Sequence, residues 1–366
     1  MRWPAPLWLR QPSRFAAIGA ARARMIWFAL SCALAISLQA LFLPSPEAAG
    51  GDGQGDLILY QDIVAGIVAG GGYYEVTADL LRAGGYPLRP FLTFRLPTLA
   101  MVQALLPQAL VAALMIALAS VTGWVWLERL RRDGVQRLAP LAITAMLLAA
   151  GLIGFVQTGL AAFHEFWAAP LIALSLALWH RDRWVTAVAI GLCAALIRET
   201  AALYLLVMGG IALLEGARRE ALGWGIALAV FALVVVAHAF AVAGVVSPID
   251  AQSPGWAGLN GPGLFVRSVT LATALQLAPL WLAAPVVALA MFGWAAWRDP
   301  LGLRVFAVIG AYAVVIAAFG RLDTFYWGVM AAPLLLAGLV FVPDALRDLA
   351  RSALDRRRVR VHRTTR

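Results

Sequence analysis

Ten runs of apolar residues, each close to the length a bilayer-spanning helix needs, limit what this chain can fold into. They lie at residues 25–44, 103–127, 138–158, 163–180, 184–198, 200–215, 222–246, 275–297, 303–319 and 324–342. A helix rising about 1.5 Å per residue crosses the hydrocarbon slab in about 20 residues, so the long runs match a spanning helix and the shortest, 184–198, a thinned or partial one. With 62% hydrophobic and 13% charged residues, the chain has too little polar surface to cover a soluble globule of 366 residues. The expected fold is therefore an all-α polytopic membrane protein with about ten transmembrane helices.

Arginine placement tests that division independently. The chain has no lysine, and 23 of its 29 basic residues fall in alternate connections: residues 2–24, 129–137, 181–183, 218–219, 298–304 and from Arg347 onward. Only Arg82, Arg89, Arg95, Arg198, Arg267 and Arg321 lie on the other side, against ten acidic residues there. This alternation is the positive-inside pattern of a multi-pass protein in a bacterial inner membrane, with both termini cytoplasmic. The net charge of +10 is thus topogenic, and nucleic acid is not an expected partner. The expected organisation is a basic cytoplasmic N-terminus (1–24), a transmembrane domain (25–342) containing a periplasmic loop (45–97), and a basic cytoplasmic tail (343–366).

The ends of the chain allow other readings. A basic leader before an apolar run and Pro44-Ser45-Pro46-Glu47-Ala48-Ala49 resembles a secretory signal, but the run exceeds the usual h-region of about 7–15 residues, which favours an uncleaved first helix. The tail from Asp344 is patterned either as an amphipathic helix on the anionic leaflet or as a solvated topogenic tail. Cys32 and Cys193 both sit in apolar runs and read as small core residues. CxxC, HExxH, Walker and GxSxG patterns are absent from the sequence, so function has to be read from position.

The segment from Ser45 to Pro97 opens with a flexible Gly/Asp stretch through Asp52 and Asp56, both read as solvated loop carboxylates. Two half-apolar pieces follow, Leu57 to Ala69 and Tyr73 to Ala83, broken at Gly70-Gly71-Gly72 and Gly84-Gly85. Their spacing predicts interfacial helices bearing Asp62, Glu75 and Asp79, with Arg82, Arg89 and Arg95 after them. The other outward ends add His164-Glu165, Arg198-Glu199, Asp250, Arg267, and Arg321 with Asp323. Ionisable groups at the ends of apolar helices are costly unless they pair or line water, so this set predicts a polar cavity at one membrane depth. Structural readings compete at each position. Arg267 reads as snorkelling to the interface, Asp250 as a turn residue, Glu165 as a charge at the positive end of a helix, and Arg321 with Asp323 as self-paired. His238 reads as a hydrogen-bonded core histidine. Arg198 and Glu199 occupy a connection too tight to reach water, so they form a structural ion pair or face an anion.

Three stretches resemble the GT-C superfamily of polyprenyl-phosphate-dependent membrane glycosyltransferases. They are Gln61-Asp62 through Gly70-Gly71-Gly72-Tyr73-Tyr74-Glu75, then Phe163-His164-Glu165, and Gly191 through Ile197-Arg198-Glu199-Thr200. The resemblance implies a first helix followed by an outer loop with interfacial helices, and transfer of a sugar from a polyprenyl-phosphate donor to a lipid, glycan or protein acceptor. It implies Asp62 as general base, Glu75 as a second catalytic carboxylate, and a divalent metal ion held by Asp62 or Glu75. It assigns the donor phosphate to Arg198 and Arg321; Asp79, Arg95, His164, Glu165, Glu199 and Asp323 complete the expected substrate-binding set. The sequence departs from the family in having no adjacent acidic pair and in the distance of Asp62 from the first apolar run. The competing function is a transporter or lipid flippase, which calls for ionisable residues in mid-span and an internal repeat.

Overall fold

A computed structural model describes residues 5–44, 54–135, 137–255 and 258–355. Asp52 and the glycine stretch around it lie outside these residues, as do the tail beyond 355 and the side chain of Asp323. The protein is all-helical. In chain order the helices are α1 (Ala20–Ser37), α2 (Gln54–Val68), α3 (Tyr73–Ala83), α4 (Thr98–Leu105), α5 (Gln108–Asp133), α6 (Leu138–Leu152), α7 (Glu165–Leu178) and α8 (Val185–Ile197). There follow α9 (Ala202–Leu214), α10 (Arg218–Ala243), α11 (Pro262–Leu271), α12 (Leu280–Ala296), α13 (Pro300–Phe319), α14 (Ala332–Leu335) and α15 (Val342–Leu354). Among the described residues the only β pairings are two isolated bridges, Leu9 with Val135 and Arg89 with Gln252.

Among the described residues five helices are long and apolar enough to cross a membrane: α1 continued to Phe42, α5, α6 continued to Val156, α10 and α13. The runs at 163–180, 184–198, 200–215 and 275–297 form the shorter apolar helices α7, α8, α9 and α12, of 13 to 17 residues. These helices mark a multi-pass membrane protein, with five candidate spans and a set of shorter apolar helices among the described residues. The tenth run, 324–342, is broken into 3-10 turns around the four-residue α14. The same run packs closely on α12. A Cβ on Gly293 of α12 would stand 1.9 Å from the Gly338 carbonyl oxygen, and one on Gly338 would stand 2.1 Å from that of Ala290. Trp294 Nε1 also donates to the Leu334 carbonyl at 2.8 Å, satisfying a group that a regular helix would pair within itself.

Small residues build the core, as expected where lipid supplies no hydrophobic drive between helices and contact depends on close packing. Ala168, Ala169, Ala173 and Ala177 of α7 are buried, as are Ala187, Gly191, Ala194 and Ala195 of α8. These faces let α7 pack on both α5 and α8. Polar tips close the remaining gaps: Trp126 Nε1 donates to the Ala173 carbonyl at 2.7 Å, and Ser175 Oγ donates to that of Ala187 at 2.6 Å.

The arginine-bearing turns meet at one end of the bundle. Arg14 donates to the carbonyl of Trp297 at 2.9 Å, and Arg10 N–H to that of Gly134 at 2.9 Å. Arg304, fully buried, forks onto both oxygens of Glu215 at 2.9 and 2.8 Å and stacks on Trp179 at 3.7 Å. The chain from Asp344 through residue 354 belongs to the amphipathic helix α15, and its buried face packs on α1 and the N-terminal segment, so it is not a solvated tail. Asp344, with no exposed surface, accepts the backbone N–H groups of Leu7, Trp8 and Leu9, and Asp348 accepts that of Ser13. Two buried carboxylates satisfied by four donors hold the N-terminal segment against α15.

Candidate functional site

At the opposite end of α7 and α8, α2 and α3 fold back on each other around Gly70-Gly71-Gly72, where Gly70 takes a φ of +96°. Ile63, Tyr73 and Ala100 form a small buried cluster joining α2, α3 and α4. The far side of α3 packs Ala78 and Leu81 against Phe94 and Val242, and Tyr74 Oη meets His238 Nδ1 at 3.1 Å. His238 is therefore the hydrogen-bonded core histidine expected. Arg82 clamps the same side: Nε and one terminal nitrogen each lie 2.9 Å from an Asp250 oxygen. That contact, with the Ser247 N–H, holds the Asp250 carboxyl down at about 2. Asp250 is a turn residue, as expected, with an ion pair added.

Under this helical layer lies a cavity of about 220 Å³. Its polar lining brings together Asp56 and Tyr60 of α2, Arg95 from the turn before α4, His164 at the start of α7, and Arg321 with Tyr326 from the connection after α13. Tyr326 Oη donates to Asp56 Oδ2 at 3.3 Å, and Arg95 Nε donates to Tyr60 Oη at 3.2 Å. Burial pushes the Tyr60 phenol up, so it stays protonated and keeps its O–H available to donate. Tyr73 Oη fixes the Arg95 backbone by donating to its carbonyl at 2.6 Å. His164 is 4% exposed, its ring 5.1 Å from that of Tyr60, and neither ring nitrogen has a hydrogen-bond partner among the described residues. A buried imidazole left unpaired in a cavity wall is costly unless a ligand satisfies it.

Behind the cavity wall is a charged knot. Arg198 Nε lies 2.7 Å from Glu165 Oε1, and a terminal nitrogen lies 3.3 Å from Glu199 Oε2, with the Arg198 and Glu165 side chains 2% and 3% exposed. Glu199 Oε1 accepts the Leu96 N–H at 2.8 Å, tying the knot to the turn that presents Arg95. Arg198, expected on the donor phosphate, is thus flanked by two carboxylates and does not line the cavity; Glu165 and Glu199 belong to the same knot. Of the alternatives open in the sequence, the structural ion pair describes this geometry.

The expected acidic residues are also placed elsewhere. Asp62, Glu75 and Asp79 are exposed, and none lines the cavity. Asp62 lies on the far side of α2 from Asp56 and Tyr60. Glu75 curls over the start of α3, where a Cβ on Gly72 would meet its Oε2 at 2.3 Å, and Asp79 sits 3.4 Å from Arg82. Asp62 and Glu75 gather no third ligand, and among the described residues no group of three His, Cys, Asp or Glu side chains could cage a metal ion. Arg267 donates to the Leu43 carbonyl and is half-buried, so it ties α11 to the end of the first span instead of snorkelling.

The residue missed in the sequence is Asp56. In sequence it reads as a loop carboxylate, yet it lies in the first turn of α2 and lines the cavity. Its signal was legible: Asp56, Tyr60 and Ile63 recur at helical spacing on one face, and Asp62 falls opposite. No family model, curated protein or solved structure matches the chain.

Proposed function

We propose that the chain is a glycosyltransferase of the inner membrane, moving a sugar from a polyprenyl-phosphate donor to an acceptor hydroxyl at the periplasmic face. The observation that supports this best is that one carboxylate, Asp56, and two guanidinium groups, Arg95 and Arg321, share one cavity below a helical layer. In the proposed step Asp56 takes the proton of the acceptor hydroxyl as its oxygen bonds to the anomeric carbon. The bond from that carbon to the phosphate oxygen breaks, and the electron pair leaves with the polyprenyl phosphate. Arg95 and Arg321 offer planar donor forks to the phosphate oxygens that gain charge. Tyr60 and His164 supply neutral polar contacts for the sugar.

Asp56 replaces Asp62 as the base in this scheme because a base has to reach the proton it removes. A transporter would need charge within its spans. The buried charges here sit at helix ends instead: Glu165 at the start of α7, Arg198 just after α8, Glu220 in the first turn of α10 and Arg304 near the start of α13.

The test is transfer of label by the purified chain in nanodiscs, given synthetic polyprenyl-phosphate sugars and an inner-membrane lipid extract. Transfer that is lost in Asp56→Asn at unchanged protein level supports the reading. Absence of transfer, together with undecaprenyl-phosphate binding that is indifferent to Arg95→Ala, contradicts it.

A further inference from the structure

A second cavity, of about 800 Å³, adjoins the first and shares Val64, Gln103 and Ala162 with it. It runs between α2, the start of α5 and the turns that precede α7. Its chemistry differs from that of the first. Every polar side chain on its wall is neutral, namely Gln61, Gln103, Gln108 and Thr158, and the rest is alanine, glycine, valine and leucine. Amides and a hydroxyl both donate and accept, which suits hydroxyl groups. An anion there would meet no cation and a cation no carboxylate, so either would be desolvated without compensation. Part of the lining is apolar and exposed: Val68 is 67% exposed, and Ala65 and Ala109 are exposed with it. Exposed apolar side chains around a neutral polar groove fit an occupant whose tail stays in lipid while its head enters the protein.

We infer that this groove admits the acceptor, and that the acceptor is an uncharged, hydroxyl-bearing membrane amphiphile such as a neutral glycolipid. The inference rests on the glycosyltransferase reading of the first cavity and deepens it. Arginine in one compartment and its absence in the other separate an anionic donor from a neutral acceptor. The two meet at Gln103, whose Nε2 is held at 2.6 Å by the Ala161 carbonyl.

The test uses the full chain in nanodiscs and a diazirine-bearing alkyl glucoside, with crosslinks mapped by mass spectrometry. Labelling is expected on the groove segments of α2 and α5, competed by octyl glucoside and not by octyl phosphate or octyltrimethylammonium. Ala112→Phe, which fills the groove from α5, should lower labelling by about tenfold while leaving undecaprenyl-phosphate binding unchanged. Gln108→Glu, on the exposed rim, should let octyltrimethylammonium compete, and this variant places no added bulk in the groove. Equal competition by the charged amphiphiles overturns the inference. So does an Ala112→Phe variant that binds undecaprenyl phosphate more weakly, because the groove would then hold the donor's tail. Failure of the donor reading is seen separately, as undecaprenyl-phosphate binding that survives Arg95→Ala.

Discussion

At the arginine-rich end of the bundle, Arg304 is enclosed between Glu215, Glu220 and the face of Trp179; at the other end, Arg95 lies against an open cavity with a phenol for a neighbour. Both are arginines at helix boundaries in a chain that is mostly apolar. The difference is in what surrounds the charge. Where carboxylates and an aromatic face fill the space around a guanidinium, its charge is neutralised and the residue holds helices together. Where the direct hydrogen-bond partner is a neutral phenol and the carboxylates stand behind the wall, more of the positive potential reaches the cavity. The Arg198 knot belongs to the first kind although it lies beside the cavity, and for that reason proximity to a site is a poor guide to a role in it.

The largest effect that could break this comparison is in stability. Arg304→Ala leaves Glu220, 2% exposed, without its compensating charge, and should cost about 3–5 kcal/mol. Arg95→Ala should leave the melting temperature nearly unchanged. Thermal unfolding of the two purified variants measures the contrast, and equal losses would erase it. Next in size, Arg95→Ala should weaken undecaprenyl-phosphate binding by about 10- to 100-fold, the worth of one charge-assisted contact, whereas Arg304→Ala protein that stays folded should bind normally. Gly338→Ala sharpens the packing side of the account. Its Cβ meets backbone and the Trp294 ring, so a loss of about 1–3 kcal/mol is expected, read from the same melts.

The smallest effect is on pH dependence. Asp250 is held at about 2 by Arg82, against an ordinary value of 3.8. A carboxyl depressed in the folded state stabilises above its unfolded value and loses that contribution as pH falls through its folded value. The clamp on α3 should therefore hold at pH 4 and open between about pH 4 and pH 2. Asp250→Asn should remove that acid-dependent step, as read by proteolysis or hydrogen exchange of residues 73–83.

Much of the fold was legible because apolar length and arginine placement are one-dimensional signals. The breaks at Gly70-Gly71-Gly72 and Gly84-Gly85 correctly bounded α2 and α3. The run at 324–342 is broken into 3-10 turns and meets α12 backbone to backbone at Gly293 and Gly338, and hydropathy registers neither feature. The site was legible by residue type and less so by address. His164, Arg95 and Arg321 line the cavity, but which carboxylate joins them depends on the face of α2. A glycine-rich prefix made Asp56 look like loop when it belongs to the helix it begins. The role of Arg198 was undecidable in sequence because one neutraliser, Glu199, is its neighbour and the other, Glu165, lies 33 positions away at the start of α7.

On the proposed glycosyltransferase reading, chemistry takes place on the Asp56 face of α2. The most direct measurement is the ratio of sugar-transfer rates of Asp56→Asn and Asp62→Asn, each purified and supplied with the same polyprenyl-phosphate sugar. The account predicts a loss of about 10²-fold or more for Asp56→Asn and a rate within about twofold of the parent for Asp62→Asn. The reverse order, with Asp62→Asn inactive and Asp56→Asn near normal, would contradict it.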